Sequence, residues 1–228
     1  MTIPLSPRLR ACAAFVRPGA RVADICCDHG HLGLYLLQAG IASQVYAADI
    51  APLPLQNARK NAEKLGLSNQ IQFFLSDGVL SLPRDFDTLL CAGVGADTII
   101  SILGAAPWLR NGRCLIVQCQ SQRVRLARWL SAQGYRAARE TVVQEGKFFY
   151  PVAELSYAPG APLSPGECHL SPALRASGAP ALAPYYRRIL ANLETTLHGL
   201  SRGGDAQALA FYTRAWEELQ SWKGEILC

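Results

Sequence analysis

The chain of 228 residues lacks several signatures that would settle its class at once. Its first residues, MTIPLSPRLR, hold no apolar stretch of the kind that directs export, and no apolar run is long enough to span a bilayer, so a cytoplasmic protein with no membrane partner is expected. There is no CxxC pair among the eight cysteines, at positions 12, 26, 27, 91, 114, 119, 168 and 228. Cys114 and Cys119 with His169 match no familiar zinc spacing, so no metal site is expected. Cys91, Cys114 and Cys119 lie in apolar runs, where a reduced cysteine behaves as a small hydrophobe. No internal repeat is visible. GxGxxG and the P-loop are both absent, which removes the usual phosphate cradles of dinucleotide and nucleotide-triphosphate sites. Charge is sparse, with only 17% Asp, Glu, Lys and Arg, but 50% of residues are hydrophobic, which excludes a disordered chain. The net charge of +5 is uneven: residues 1–157 carry 16 basic and 11 acidic residues, and residues 158–228 carry six of each. A modest basic surplus in the first part suits either an RNA partner or simple solubility.

What is present is an alternation of strand and helix signals. Strands are expected at Arg21–Cys26, Gln44–Asp49, Ile71–Leu75, Phe86–Ala92 and Arg113–Cys119. Helices are expected between them at Leu32–Ala39, Pro54–Leu65, Ala96–Leu103 and Val124–Gln133, with Gly66 as a C-cap. Two further strands, Tyr135–Gln144 and Lys147–Ser156, form a hairpin about Glu145-Gly146. This order predicts an α/β fold, a doubly wound and mostly parallel sheet with an antiparallel edge. The predicted domain is residues 1–158. Residues 159–181, rich in Pro, Gly, Ala and Ser, read as a linker. Residues 182–228 carry two helical patterns, Leu182–Leu200 and Asp205–Lys223, that form an α-helical hairpin.

In open α/β sheets ligands bind beyond the carboxyl ends of the strands, where the strand order reverses. Polar features fall at three such ends: Asp24–Gly30 after the first strand, Asp49 at the end of the second and Ser76-Asp77-Gly78 after the third. A carboxylate at Asp49 can accept both ribose hydroxyls of an adenosine, Asp77 can accept an adenine amino group, and Gly30 lets backbone approach a ligand. Taken singly, each has a stronger ordinary reading, Asp24 as a cap, Asp49 as a turn starter and Asp77-Gly78 as a turn dipeptide, and only the three together at successive strand ends favour a cofactor site. His29 and His31 flank Gly30. Asp28, on the same loop, can serve as a base or an amine acceptor. After the fourth strand, Gly93 and Gly95 leave room for a flat ring. The same stretch reads equally as a tight turn with Asp97 as helix N-cap.

These residues resemble the TrmK-type tRNA (adenine-N1)-methyltransferases of bacteria, which modify adenosine 22 of tRNA. The resemblance runs through Leu5-Ser-Pro-Arg-Leu9, Val22-Ala-Asp-Ile-Cys-Cys-Asp-His-Gly30, Ala48-Asp-Ile50 and Ser76-Asp-Gly78. It continues through Ala92-Gly-Val-Gly95, Leu126–Leu130 with Trp129, and Glu145-Gly-Lys147 before Tyr150. It implies a Rossmann-like class I methyltransferase with a C-terminal coiled-coil-like extension, S-adenosylmethionine as cofactor, and tRNA as partner; a monomer is expected, with a weak dimer as the alternative. It implies cofactor contacts from Asp24, Cys26, Asp28, His29, Gly30, Asp49, Ile50, Asp77, Gly78 and Ala92, with Asp28 as catalytic candidate. Substrate contacts are implied for Gly93, Val94, Gly95, Gln118, Arg187 and Arg188. The chain departs from the family pattern at Cys26, where a glycine is usual, at Ala96, and at Val117-Gln-Cys-Gln120. The departures keep two alternatives open: a small-molecule or protein methyltransferase on the same fold, or a catalytically degenerate RNA-binding homologue.

Overall fold

A computed structural model describes residues 3–203 and 205–227. It opens with α1 (Pro7–Ala13), where the Ser6 hydroxyl accepts the Leu9 N–H as an N-cap. Then β1 (Ala20–Ile25), α2 (His31–Gln38), β2 (Ala42–Asp49), α3 (Pro52–Leu65), β3 (Ile71–Leu75), β4 (Thr88–Val94), α4 (Ala96–Ala105), β5 (Cys114–Cys119) and α5 (Arg123–Ala132) alternate. The long strands β6 (Tyr135–Glu145) and β7 (Phe148–Tyr157) follow. Helices α6 (Pro165–His169), α7 (Pro172–Arg175), α8 (Leu182–Leu200), α9 (Ala206–Ser221) and α10 (Lys223–Leu227) complete the chain.

The seven strands form one sheet in the order β3-β2-β1-β4-β5-β7-β6. Neighbours from β3 to β5 pair in parallel, and β7 runs antiparallel to both β5 and β6. Every residue of β5 and all but one of β1 is buried, as expected for central parallel strands covered on both faces. One apolar cluster, with Ile25, Leu89, Ile99 and Leu126, fills the face under α4 and α5; another, with Val22, Leu34, Val45 and Ile116, fills the face under α1, α2 and α3. The order reverses at β1: the chain steps outward to β2 and β3, then returns to β4 on the other side. The ends of β1 and β4 therefore frame the switch point.

The expected elements are found, with four differences. The short helix α1 has no counterpart in the sequence reading, because seven residues with two arginines give little periodicity. The β6–β7 turn is Gly146-Lys147, since Glu145 still pairs with Phe148. β4 continues past Ala92 to Val94, because the chain bulges at Gly93 and pairing with β5 resumes at Val94 and Cys119. Finally, the stretch 159–181 carries α6 and α7. Proline ends and serine caps (Ser164, Ser171) start both helices, which pack on α5, α9 and β6. The helical hairpin has its own core of Tyr186, Ile189, Leu193, Ala215 and Leu219, joined by Val142 of β6 and Phe149 of β7.

Candidate functional site

The carboxyl ends of β1, β2 and β4 meet in one rim. Asp24, near the end of β1, is buried, and its Oδ2 accepts the Gly33 N–H at 3.1 Å. The contact needs glycine at 33: a Cβ there would stand 2.8 Å from Val45 Cγ1 and 3.1 Å from Asp24 Oδ2. Burial, with a smaller push from Asp49, raises the Asp24 carboxyl to about 7, against the lowering effect of the Gly33 hydrogen bond. Asp24 therefore sits beneath the loop and ties β1 to α2.

Above it the chain turns sharply. Cys26 at φ +56° and Asp28 at φ +52° both hold left-handed backbone, an uncommon state for residues with a Cβ and one that clusters at functional sites. Cys26 takes this state at one of the departures noted in the sequence. Its thiol meets that of Cys91 across the β1–β4 gap, and this hydrogen bond lowers Cys26 and raises Cys91. The Cys27 N–H donates to Ala48 O at 3.0 Å, which pins the turn to β2. Gly30 then caps α2 at φ +70°. Asp28 projects its carboxylate into solvent, 3.6 Å from His29 Nε2, while the His29 and His31 rings lie 5.8 Å apart.

Asp49 joins the two loops. Its Oδ2 accepts the Asp28 N–H and its Oδ1 the Ala51 N–H, both at 3.0 Å. Each carboxylate oxygen keeps a lone pair for a further donor, and the two backbone bonds fix the plane in which those lone pairs point. Beyond Asp49, Ile50, Leu53, Leu75 and Leu80 are exposed, 61–71% each, at and just after the ends of β2 and β3. Asp77 is exposed beside them, and Gly78 is buried against Ile102. A carboxylate edged by exposed apolar side chains matches a ribose with an attached flat base. The rim therefore fits an adenosine group.

On the other side of the switch point, Ala92, Val94 and Gly95 are half-buried and Gly93 is exposed at φ +85°. Gly95 is the N-cap residue of α4, and Asp97 lies in its first turn, paired with Arg125 at 2.7 Å. Gln118 is fully buried; its Oε1 holds Arg8 Nη1 at 2.9 Å, so Arg8, and not Gln118, comes up against Gly93. Arg8, Glu145 and Tyr150 thus join the rim. Their signal lay in the motifs Leu5–Leu9 and Glu145–Tyr150, which are far apart in sequence and carried no role of their own.

A groove of 980 Å³ lies between α5 and the helical hairpin, lined by Arg123, Arg125, Arg128 and Arg188 with Trp129 and Tyr185 among others. No acidic residue is among the described residues lining it. Arg188 lies in this groove; Arg187 is exposed outside its lining. A smaller cavity of 460 Å³ between α5, β7 and the α6–α7 segment contains none of the strand-end carboxylates. Among the described residues no group of three or more His, Cys, Asp or Glu could hold a metal, and no helix is long and apolar enough to cross a membrane.

Comparison with known proteins agrees with this geometry. The methyltransferase domain family matches residues 5–153. The tRNA (adenine(22)-N(1))-methyltransferase of Bacillus subtilis is 31% identical over 152 residues, which are 66% of this chain and 64% of that one. A Mycoplasma genitalium protein, provisionally named a tRNA methyltransferase, is 32% identical over 134 residues, 58% of this chain and 59% of that one. The chain thus spans a little under two thirds of these curated relatives. A solved Streptococcus pneumoniae structure, provisionally named a tRNA (m1A22) methyltransferase and in complex with S-adenosyl-L-methionine, superposes with a TM-score of 0.81 at 26% identity, over 95% of this chain and 99% of that one. The chain belongs to the methyltransferase domain family.

Proposed function

We propose that the chain transfers a methyl group from S-adenosylmethionine to N1 of an adenine in tRNA, adenosine 22 by likeness to its relatives. The observation that carries the reading is the Asp49 carboxylate, oriented by two backbone N–H groups and opening onto exposed apolar side chains at the switch point. Bound there, the cofactor supplies an electrophilic methyl on a cationic sulfur. Asp49 would hold the ribose hydroxyls, with Ile50 and Asp77 beside the base and Gly78, Gly30 and His29 lining the loop edge. Asp24 acts from below by holding the β1 loop. Cys26 and Ala92 line the floor between the two sides. The carboxylates of Asp28, Asp49 and Asp77 give the rim a negative field suited to a sulfonium.

Gly93, Val94 and Gly95 would shape the pocket for the acceptor base. Adenine N1 is a neutral nucleophile, so positioning dominates and no proton must leave before attack. Asp28, exposed and fixed by its backbone bond to Asp49, stabilises the cationic product or accepts a proton from its exocyclic amine. The α5–α8 groove, with Arg128 and Arg188, supplies a basic track for the RNA backbone. In this reading residues 1–158 form the catalytic domain and 182–228 a helical module for tRNA. The reaction then takes place in the cytoplasm.

The test is calorimetric titration with S-adenosylmethionine, followed by transfer of a labelled methyl to unmodified tRNA and to the same tRNA with guanosine at position 22. Micromolar cofactor binding and transfer that is lost on the guanosine substitution are expected. Absence of cofactor binding removes the enzyme reading, and transfer that ignores the substitution removes adenosine 22.

A further inference from the structure

Arg8 stands at a place the proposed reaction leaves without a role. Three elements hold it. Its backbone N–H donates to Glu145 Oε1 at the hairpin end, its Nη1 donates to Gln118 Oε1 of β5 at 2.9 Å, and its guanidinium carbon lies 5.7 Å from the centre of the Tyr150 ring. The bulge at Gly93 makes the space, since a Cβ there would stand 2.9 Å from Arg8 Nη1. The side chain is thus seated at the mouth of the base-facing side of the rim.

Its charge is not met. A guanidinium carries five N–H donors, and the one described hydrogen bond goes to a neutral amide. Glu145 spends its oxygen on the Arg8 backbone. Among the described residues no carboxylate pairs with the Arg8 side chain. By contrast, Arg123 meets Glu140, Arg125 meets Asp97 and Arg139 meets Glu154. A half-buried, rigidly held cation with free forked donors is built to receive an oxyanion.

We propose that Arg8 anchors a backbone phosphodiester next to the acceptor nucleotide and so sets the depth at which the base enters between Gly93 and the β1 loop. This rests on the RNA-methylating reading above. A cofactor carboxylate offers the same oxyanion chemistry, but the seat lies on Gly93 and Gln118, across the switch point from Asp49, which favours the RNA.

The experiment measures binding of unmodified tRNA by fluorescence anisotropy over a series of potassium chloride concentrations, for the wild type, Arg8→Ala and Arg8→Lys. Calorimetry with S-adenosylmethionine and a thermal melt run alongside. Arg8→Ala is expected to weaken tRNA binding about tenfold near 0.1 M salt and to reduce the slope of log affinity against log salt by about 1, as for loss of one phosphate contact. Arg8→Lys keeps the slope and recovers part of the affinity, and cofactor affinity stays unchanged; the melt confirms that each variant is folded at the temperature of the binding assay. Unaltered tRNA affinity and slope in Arg8→Ala overturn the proposal. A loss of cofactor affinity in Arg8→Ala also overturns it, in favour of a carboxylate anchor. A wild type without tRNA affinity overturns both this and the proposed function. A wild type that binds tRNA but transfers no methyl overturns only the latter, and the slopes still decide the role of Arg8.

Discussion

The strand-end rim and the helical hairpin are built by opposite rules. All three non-glycine residues with left-handed backbone among the described residues, Cys26, Asp28 and Gln122, lie in the turns that leave β1 and β5 at the rim. The hairpin, α8 and α9, has none. It relies on an ordinary amphipathic core in which Tyr186 is fully buried and donates its hydroxyl to Leu219 O at 2.7 Å. Conformational strain costs of order 1–3 kcal/mol per residue and persists only where the surroundings hold it. In this protein the holding is done by Asp24, Asp49 and the Cys27–Ala48 bond. In the proposed function, chemistry is placed on the strained, over-determined region and tRNA contact on the relaxed one.

The largest contrast is in pH dependence, because a buried carboxyl under the rim and a buried imidazole in α6, beside the hairpin, titrate in opposite directions. Asp24 has its carboxyl raised to about 7 by burial, so the folded state binds its proton more tightly than the unfolded chain does. Its contribution to stability is full below about pH 4 and is lost as pH rises through 7. Denaturant titrations should show the wild type losing on the order of 2–4 kcal/mol from this group between pH 4 and 8, a slope missing in Asp24→Asn. An identical slope in the variant breaks the assignment.

His169, where α6 meets the hairpin, behaves the other way. Burial, helped by Arg123, lowers it to about 4, so its contribution is present above pH 6.5 and is lost as pH falls toward 4. His169→Gln should remove an acid-side loss on the order of 2–3 kcal/mol in the same titrations. If the acid-side loss survives in the variant, another group causes it.

Ligand binding should divide along the same line. Asp49→Ala is expected to weaken S-adenosylmethionine binding about 100-fold, close to 2.7 kcal/mol, with tRNA affinity unchanged. The double substitution Arg128→Ala, Arg188→Ala should do the reverse, weakening tRNA about tenfold by anisotropy and leaving the cofactor isotherm alone. Parallel losses in both measurements would show that the two regions bind as one unit.

The smallest effect tests the strain itself. Cys26→Gly removes a Cβ from left-handed backbone and should raise stability by up to about 1 kcal/mol in a thermal or denaturant melt, with cofactor affinity equal or higher. A destabilised variant would mean that the contact with Cys91 outweighs the strain.

Much of this was legible in the residues. The alternating apolar runs and turn residues report parallel strands and their helices, since central strands must be apolar throughout and Gly66 must end its helix. Asp49 and Asp77 stood out in the sequence only in combination with Asp24, because polar features at three successive strand ends coincide less readily than any one of them. The sequence singled out Asp24 beside these carboxylates but did not show that it is buried. A single carboxylate in a sequence does not reveal which glycine will cover it. Helices α6 and α7 were hidden because their proline and serine content looks like a linker until capping and packing are seen.

The sequence by itself therefore determined the α/β alternation, the antiparallel edge, the helical hairpin and the positions of the acidic residues. These depend on periodicity and turn chemistry, which are local. Only the tertiary structure decided that Arg8, Gln118, Gly93, Glu145 and Tyr150 share one place, that the bulge at Gly93 opens it, and that Asp24 lies under the loop. Those contacts join residues far apart in the chain, 137 positions between Arg8 and Glu145 and still more between Arg8 and Tyr150. Their energy comes from burial and pairing across the sheet, which no local pattern encodes.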